Sequence, residues 1–170
     1  MPTQRALNSA EIDKLQAQIK DIQTAMFTTQ AINGDLHTRP MAALQMDPDG
    51  TMWFFTYKES NKVEEIKQDN RVALGFSDPG SETYVATSGV AQEVYDQAKI
   101  NELWSDYLKT WFPQGKDDPS LTLLKVTTHA GEYWDRPGGK MMLLFEVVKG
   151  ALTGESDKSG RDEKLGAEPQ

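Results

Sequence analysis

The stretch Thr51-Met52-Trp53-Phe54-Phe55-Thr56-Tyr57-Lys58-Glu59-Ser60-Asn61-Lys62 runs from an aromatic strand straight into the start of a helix. Aromatic and β-branched residues suit a pleated, half-buried surface, so Thr51 to Tyr57 reads as a strand that the polar Lys58-Glu59-Ser60 ends. Ser60 is a good N-cap for the short helix that follows. Val63 and Ile66 mark its inward face, and Asp69-Asn70 stops it before Arg71 to Phe76 resumes strand. A short way upstream, Leu36-His37-Thr38-Arg39-Pro40-Met41 carries an arginine into another strand. Together the two stretches supply donors for a phosphate and apolar walls for a flat ring, the parts a mononucleotide site needs. The helix start adds N–H groups and a partial positive charge for an anion.

Working outward, Asn8 with Glu11 three residues later has the form of a capping box. Ile12, Leu15, Ile19 and Ile22 then repeat at helical spacing. Thr24 to Thr29 reads as a strand, Asn33-Gly34-Asp35 as a turn, and Thr38 to Met46 as a second strand. Asp47-Pro48-Asp49-Gly50 is expected to close a hairpin between that strand and Thr51 to Tyr57. After the turn at Ser77-Asp78-Pro79-Gly80, Thr83 to Val94 is a long strand broken or bulged at Gly89. Asp96 caps a helix whose apolar side, Ile100, Leu103, Trp104, Tyr107 and Leu108, is expected in the core. Two strands follow, Leu121 to Val126 and His129 to Trp134, then an apolar segment from Met141 to Leu152 that reads as a C-terminal helix. From 153 to 170 the chain is charged and lacks aromatics, which predicts a disordered tail after a single domain over 1–152.

Composition removes whole classes of function. The 170 residues contain no cysteine, so disulfides, thiolate chemistry and cysteine-held metals are excluded. A net charge of −8 argues against nucleic acid, whose phosphates call for clustered lysine and arginine. No apolar run reaches a membrane span, and Met1 to Ala10 lacks a basic region followed by an apolar one. The expectation is a soluble, cytoplasmic protein. His37 and His129, the two histidines, stand in no ligand-spaced cluster, so no metal site is predicted. No G-x-S-x-G elbow, dinucleotide glycine fingerprint or P-loop occurs. About six strands, mostly in meanders and flanked by helices, predict a mainly β fold: a closed or nearly closed antiparallel barrel.

Several strings taken in order resemble the general stress protein branch of the pyridoxamine 5′-phosphate oxidase-like superfamily. They are Leu36-His37-Thr38-Arg39-Pro40-Met41, Asp49-Gly50-Thr51-Met52-Trp53-Phe54-Phe55-Thr56, Ser60-Asn61-Lys62-Val63-Glu64-Glu65-Ile66, Asn70-Arg71-Val72 and Glu132-Tyr133-Trp134-Asp135. The resemblance implies an antiparallel split β-barrel of the FMN-binding type, a homodimer with a flavin nucleotide, FMN or alternatively FAD, in clefts at the subunit interface. It puts Arg39 on the phosphate and the backbone of Pro40, Met41, Ala42, Ala43 and Leu44 along the ring. Phe55 and Thr56 form a second segment, and Ser60, Asn61 and Lys62 a third on the phosphate. Tyr84 matches a polar contact to the ring or ribityl chain, and Trp134 a contact from the second subunit. Authentic pyridoxamine phosphate oxidases continue with a basic, histidine-containing segment. Asp135-Arg136-Pro137-Gly138 stands here instead, which implies a different substrate or none.

Plainer readings stand beside these. Phe54 is expected to be core, Arg39 can be a surface ion pair, Lys62 an ordinary helix lysine, and Ser60 only a cap. Trp111, in a loop beside a proline, is a candidate to cover a partner's cleft. Two classes of function fit: a flavin-dependent oxidoreductase, in which the cofactor carries the redox chemistry, and a general stress protein that stores or senses flavin without turnover. No side chain is singled out as catalytic.

Overall fold

The computed structural model describes residues 7–44 and 46–134, and the backbone of 162–165. The expected helix from Met141 to Leu152 lies outside the described residues, as does the expected tail apart from 162–165. Helix α1, Ser9–Ile19, starts with the capping box read from the sequence: the Asn8 side chain accepts from the Glu11 N–H, and the Glu11 carboxylate accepts from the Asn8 N–H. Among the described residues seven strands follow in one antiparallel sheet: β1 (Thr24–Gln30), β2 (Leu36–Ala42), β3 (Thr51–Tyr57), β4 (Arg71–Asp78), β5 (Thr83–Val94), β6 (Leu121–Trp134) and β7 (Asp162–Leu165). Helix α2, Asn61–Gln68, links β3 to β4, and α3, Gln97–Leu103, follows β5. The order across the sheet is β2-β1-β4-β5-β6-β3, with β7 on the end of β6.

That order corrects the expected hairpin between β2 and β3. The turn at Asp47–Gly50 forms, with the Gly50 N–H donating to the Asp47 carbonyl, but β2 pairs with β1 and β3 with β6. Pro40 supplies the reason. A proline gives no N–H to a ladder, so its strand belongs at a sheet edge with one neighbour. The short turn after β1 delivers β2 to that neighbour first. β2 and β3 therefore end up at opposite edges of the sheet. The sheet coils until those edges face each other across a cleft, giving an antiparallel half-barrel left open between them.

Two further elements differ from expectation. β6 is one strand of 14 residues, and the irregularity lies opposite Gly89, where Gly89 pairs with Thr128 and Ser88 with Ala130, leaving His129 as the extra residue. Gly89 is needed there because a Cβ would stand 2.0 Å from the Thr127 carbonyl oxygen. The helix after Asp96 ends at Leu103, since Trp104 turns extended, and a separate 3₁₀ turn spans Asp106–Thr110. Ser105 and Asp106 at the break are residues whose side chains favour turns and helix starts over helix interiors. The break points Tyr107 into solvent, not into the core as expected, while Leu108 stays buried.

The core has two parts, divided by β3, which is buried on both faces over Thr51 to Thr56. Inside the half-barrel, Leu15 of α1 packs with Phe27, Phe54, Leu74 and Leu124. Phe27 meets Phe54 edge to face at 5.2 Å, so Phe54 is core as expected. On the other face, Trp53 and Phe55 pack with Ile100, Leu108, Phe112 and Leu121 beneath α3 and the 3₁₀ turn. Phe55 touches Trp104 at 5.6 Å and Phe112 at 6.0 Å, which fixes its ring at the mouth of the cleft.

Candidate functional site

The gap between the two sheet edges is a cleft of about 200 Å³. Strand β2 gives one wall with Arg39, Pro40, Met41 and Ala42, and β3 gives the other with Phe55, Thr56 and Tyr57. Lys62 comes from the first turn of α2, and Trp111 and Phe112 close one end from beyond the 3₁₀ turn. Thr24 at the start of β1 completes the lining. The break between β2 and β3 that overturned the hairpin is thus what makes the cleft.

Its polar end is built by two adjacent networks. Lys62 Nζ donates to Thr56 Oγ1 at 3.1 Å, and Thr56 shares a hydrogen bond with the Ser60 hydroxyl at 3.2 Å. Ser60 occupies the N-cap position of α2 with extended backbone but makes no side-chain cap bond; its hydroxyl turns toward Thr56 instead. Burial, and then the nearby Arg39 charge, push the Lys62 ammonium below its usual range, against the pull of Glu65. Arg39, with 23% of its side chain exposed, is held from behind: Nη1 donates to Thr29 Oγ1 at 2.5 Å and Nη2 to Glu65 Oε2 at 3.1 Å. Glu65 also accepts from the Thr29 hydroxyl and pairs with His37 Nδ1, each at 2.5 Å. Burial alone would raise its carboxyl, but hydrogen bonds from Thr29, His37 and Arg39 outweigh it and hold Glu65 below the ordinary glutamate range. An ionised carboxylate only accepts, so His37 carries its proton on Nδ1.

The structure brings Arg39, Pro40, Met41, Ala42, Phe55, Thr56 and Lys62 into one cleft, with Ser60 bonded to its wall. Asn61 sits exposed at the helix start beside them. Trp111, a candidate to cover a partner's cleft, lines the cleft of its own chain. Tyr84 and Trp134 lie elsewhere, side by side as register partners on β5 and β6, both solvent-exposed. Thr29, Glu65 and His37 were missed as a group. Glu65 lies 36 residues from Thr29 and 28 from His37, so no local spacing ties them. The one available sign was an acidic residue next to Ile66 on the inward face of α2.

Comparison with known proteins agrees with this architecture. A family model described as pyridoxamine 5′-phosphate oxidase like matches residues 10–158. The general stress FMN/FAD binding protein from Xanthomonas citri is 30% identical, with 79% of this chain and 95% of that chain covered at a TM-score of 0.64. A protein from Clostridium acetobutylicum related to general stress protein 26 of Bacillus subtilis is 25% identical over 76% of this chain and 92% of that one, again at 0.64. Protein bli-3 of Neurospora crassa is 24% identical over 139 residues, 76% of this chain. This chain spans 66% of the length of that curated relative, just under two thirds.

Proposed function

The chain belongs to the pyridoxamine 5′-phosphate oxidase-like family, and we propose that it is a general stress protein that binds a flavin nucleotide, FMN in preference to FAD, with the phosphate held between Arg39 and Lys62. The observation that carries this reading is the meeting of two cations at one end of an apolar cleft. Lys62 is half-buried, and its pKa is lowered first by that burial and then by the repulsion of Arg39. An anion between the two would relieve that repulsion, and a phosphate ester takes several charge-assisted hydrogen bonds at once. The N–H groups that open α2 favour the same charge. Met41, Ala42, Phe55, Phe112 and Trp111 offer the surfaces against which an isoalloxazine ring would lie.

The volume of the cleft supports a second part of the proposal. About 200 Å³ is below the roughly 300 to 1,000 Å³ that encloses a whole ligand of this size. One protomer accordingly grips the phosphate end and one face of the ring, and a second copy supplies the remaining wall. The outer face of the sheet suits a homodimer: Met26, 45% exposed, stands there between Pro40 and Gly75, and Tyr84 and Trp134 stand exposed toward its far end. We place the protein in the cytoplasm, in keeping with a chain that has no cysteine.

When bound, the flavin supplies hydride or single-electron transfer, and the protein's share is to orient it and set its surroundings. The test is direct. Protein incubated separately with FMN, FAD and riboflavin is desalted and its visible spectrum recorded. Retention of the yellow chromophore with FMN, and its loss with riboflavin, is the expected result. A colourless protein in all three cases would refute the proposal. Anaerobic addition of NADH or NADPH then asks whether bound flavin bleaches and recovers repeatedly, as a redox role requires.

A further inference from the structure

We propose that Glu65 is the positioning residue of the phosphate grip: its buried carboxylate holds the Arg39 guanidinium in one orientation and sets its spacing from Lys62. This rests on the phosphate reading of the cleft given above. Glu65 Oε2 accepts from Arg39 Nη2 at 3.1 Å and from the Thr29 hydroxyl at 2.5 Å, while the same hydroxyl oxygen accepts from Arg39 Nη1 at 2.5 Å. Guanidinium, hydroxyl and carboxylate thus form a closed ring of hydrogen bonds, which a rotating guanidinium could not keep. Arg39 still carries N–H donors beyond the two used in the ring, and it lines the cleft.

The elements involved explain why this residue matters. Arg39 and His37 lie on β2, an edge strand whose one ladder partner is β1, and Lys62 lies on α2 on the other side of the cleft's polar end. Glu65 is on α2 three residues after Lys62, with 11% of its side chain exposed, and takes bonds from both β1 and β2. It therefore ties the helix carrying one cation to the strand carrying the other. Glu65 does not line the cleft, so its negative charge stands behind the guanidinium and not against a bound anion. Burying a carboxylate is costly even when it is paired, and an apolar residue at such a site often gives equal stability. A fixed guanidinium is the gain that stability alone does not supply.

The test measures FMN and riboflavin affinity by flavin fluorescence for the full chain, Glu65→Gln, Arg39→Ala and the double variant. Glu65→Gln is expected to weaken FMN about tenfold, leave riboflavin unchanged, and add nothing in the Arg39→Ala background. Tighter FMN binding by Glu65→Gln, an equal loss for riboflavin, or a full further loss on top of Arg39→Ala would each overturn the proposal. Thr29→Val, which removes only the hydroxyl inside the ring, carries the same expectation with a several-fold loss should Glu65→Gln fail to fold. Nitrogen NMR of the Arg39 guanidinium in the flavin-free protein separates this inference from the functional one. Distinct Nη signals that merge in Glu65→Gln uphold the holding role even where FMN and riboflavin bind alike, a result that would count against the phosphate reading. A single averaged signal in the unmodified protein would overturn the holding role.

Discussion

Lys62 works against folding before it binds anything. Its folded pKa is lowered, first by burial and then by Arg39, so the folded state disfavours its charged form. For a base shifted down, that cost is present below the folded pKa and is relieved as pH rises through it. Lys62→Met is therefore expected to raise the melting temperature of the flavin-free protein at neutral pH while reducing the preference for FMN over riboflavin to the part that Arg39 supplies, the exchange of stability for function common at binding sites. Calorimetry and a paired titration check both halves; a lower melting temperature would contradict the first. A phosphate ester needs Lys62 protonated. FMN affinity should then fall as pH rises from neutrality into the lowered titration range of Lys62, with riboflavin affinity flat across the same interval. At neutral pH Glu65 stabilises the fold where Lys62 destabilises it. Its folded pKa lies below the ordinary glutamate value, so its contribution to stability is present above that ordinary range and is lost as pH falls through the folded value. Glu65→Gln should flatten this acid limb in urea melts recorded at decreasing pH. Arg39 and Lys62 were legible in the sequence because each sits in a local pattern, an arginine entering a strand and a Ser-x-Lys opening a helix. The link from Glu65 to Thr29 and His37 was not, because those two pair across the β1–β2 hairpin and only the packing of α2 against it brings Glu65 to them.

At the scale of elements, local signals set most of what they could reach. The capping box at Asn8 and Glu11 formed as read, and Asn8→Ala should cost about 1 kcal/mol, seen as a lower urea midpoint with an unchanged slope. β3 runs from Thr51 to Tyr57 as expected. Its aromatic run meets two cores, one on each face, which is why almost every position in it is apolar. Gly89 was legible as an interruption, but the reason for it lies in the neighbouring strand. The Thr127 carbonyl approaches so closely that a Cβ would stand 2.0 Å from its oxygen. Gly89→Ala is accordingly expected to destabilise by more than about 2 kcal/mol, because the contact is with backbone that cannot rotate away. Pairing was harder to read than strands. The turn at Asp47–Gly50 suggested a hairpin, and the contrary sign, Pro40 confining its strand to an edge, was present in the sequence but spoke about neighbours, not about local conformation. Likewise, the spacing from Ile100 to Leu108 fits one helix, and the stop at Trp104, favoured locally by Ser105 and Asp106, lets Leu108 and Phe112 fill the space beside Phe55.

For the whole molecule, a mainly β antiparallel barrel with flanking helices followed from the meander of strands, while the opening in it did not. The opening exists because the two strands nearest in sequence across Asp47–Gly50 are the farthest apart in the sheet. It turns a structural seam into a cleft with apolar walls and a cationic end. The proposed homodimer is tested at this scale by Met26→Glu, which places a charge on the open outer face between Pro40 and Gly75. Light scattering should report a monomer, and FMN should bind more weakly, since the second wall is lost; a dimer with full affinity would exclude this face as the interface. The central claim is that Arg39 and Lys62 grip the phosphate of a flavin, and the most direct measurement is the ratio of FMN to riboflavin affinity in the unmodified protein and in Arg39→Ala/Lys62→Ala. The account predicts FMN tighter by about 100-fold in the unmodified protein, the equivalent of one or two charge-assisted hydrogen bonds, and equal affinity for the two flavins in the double variant. Equal affinity in the unmodified protein, or a preference for FMN that survives the double substitution, would contradict it.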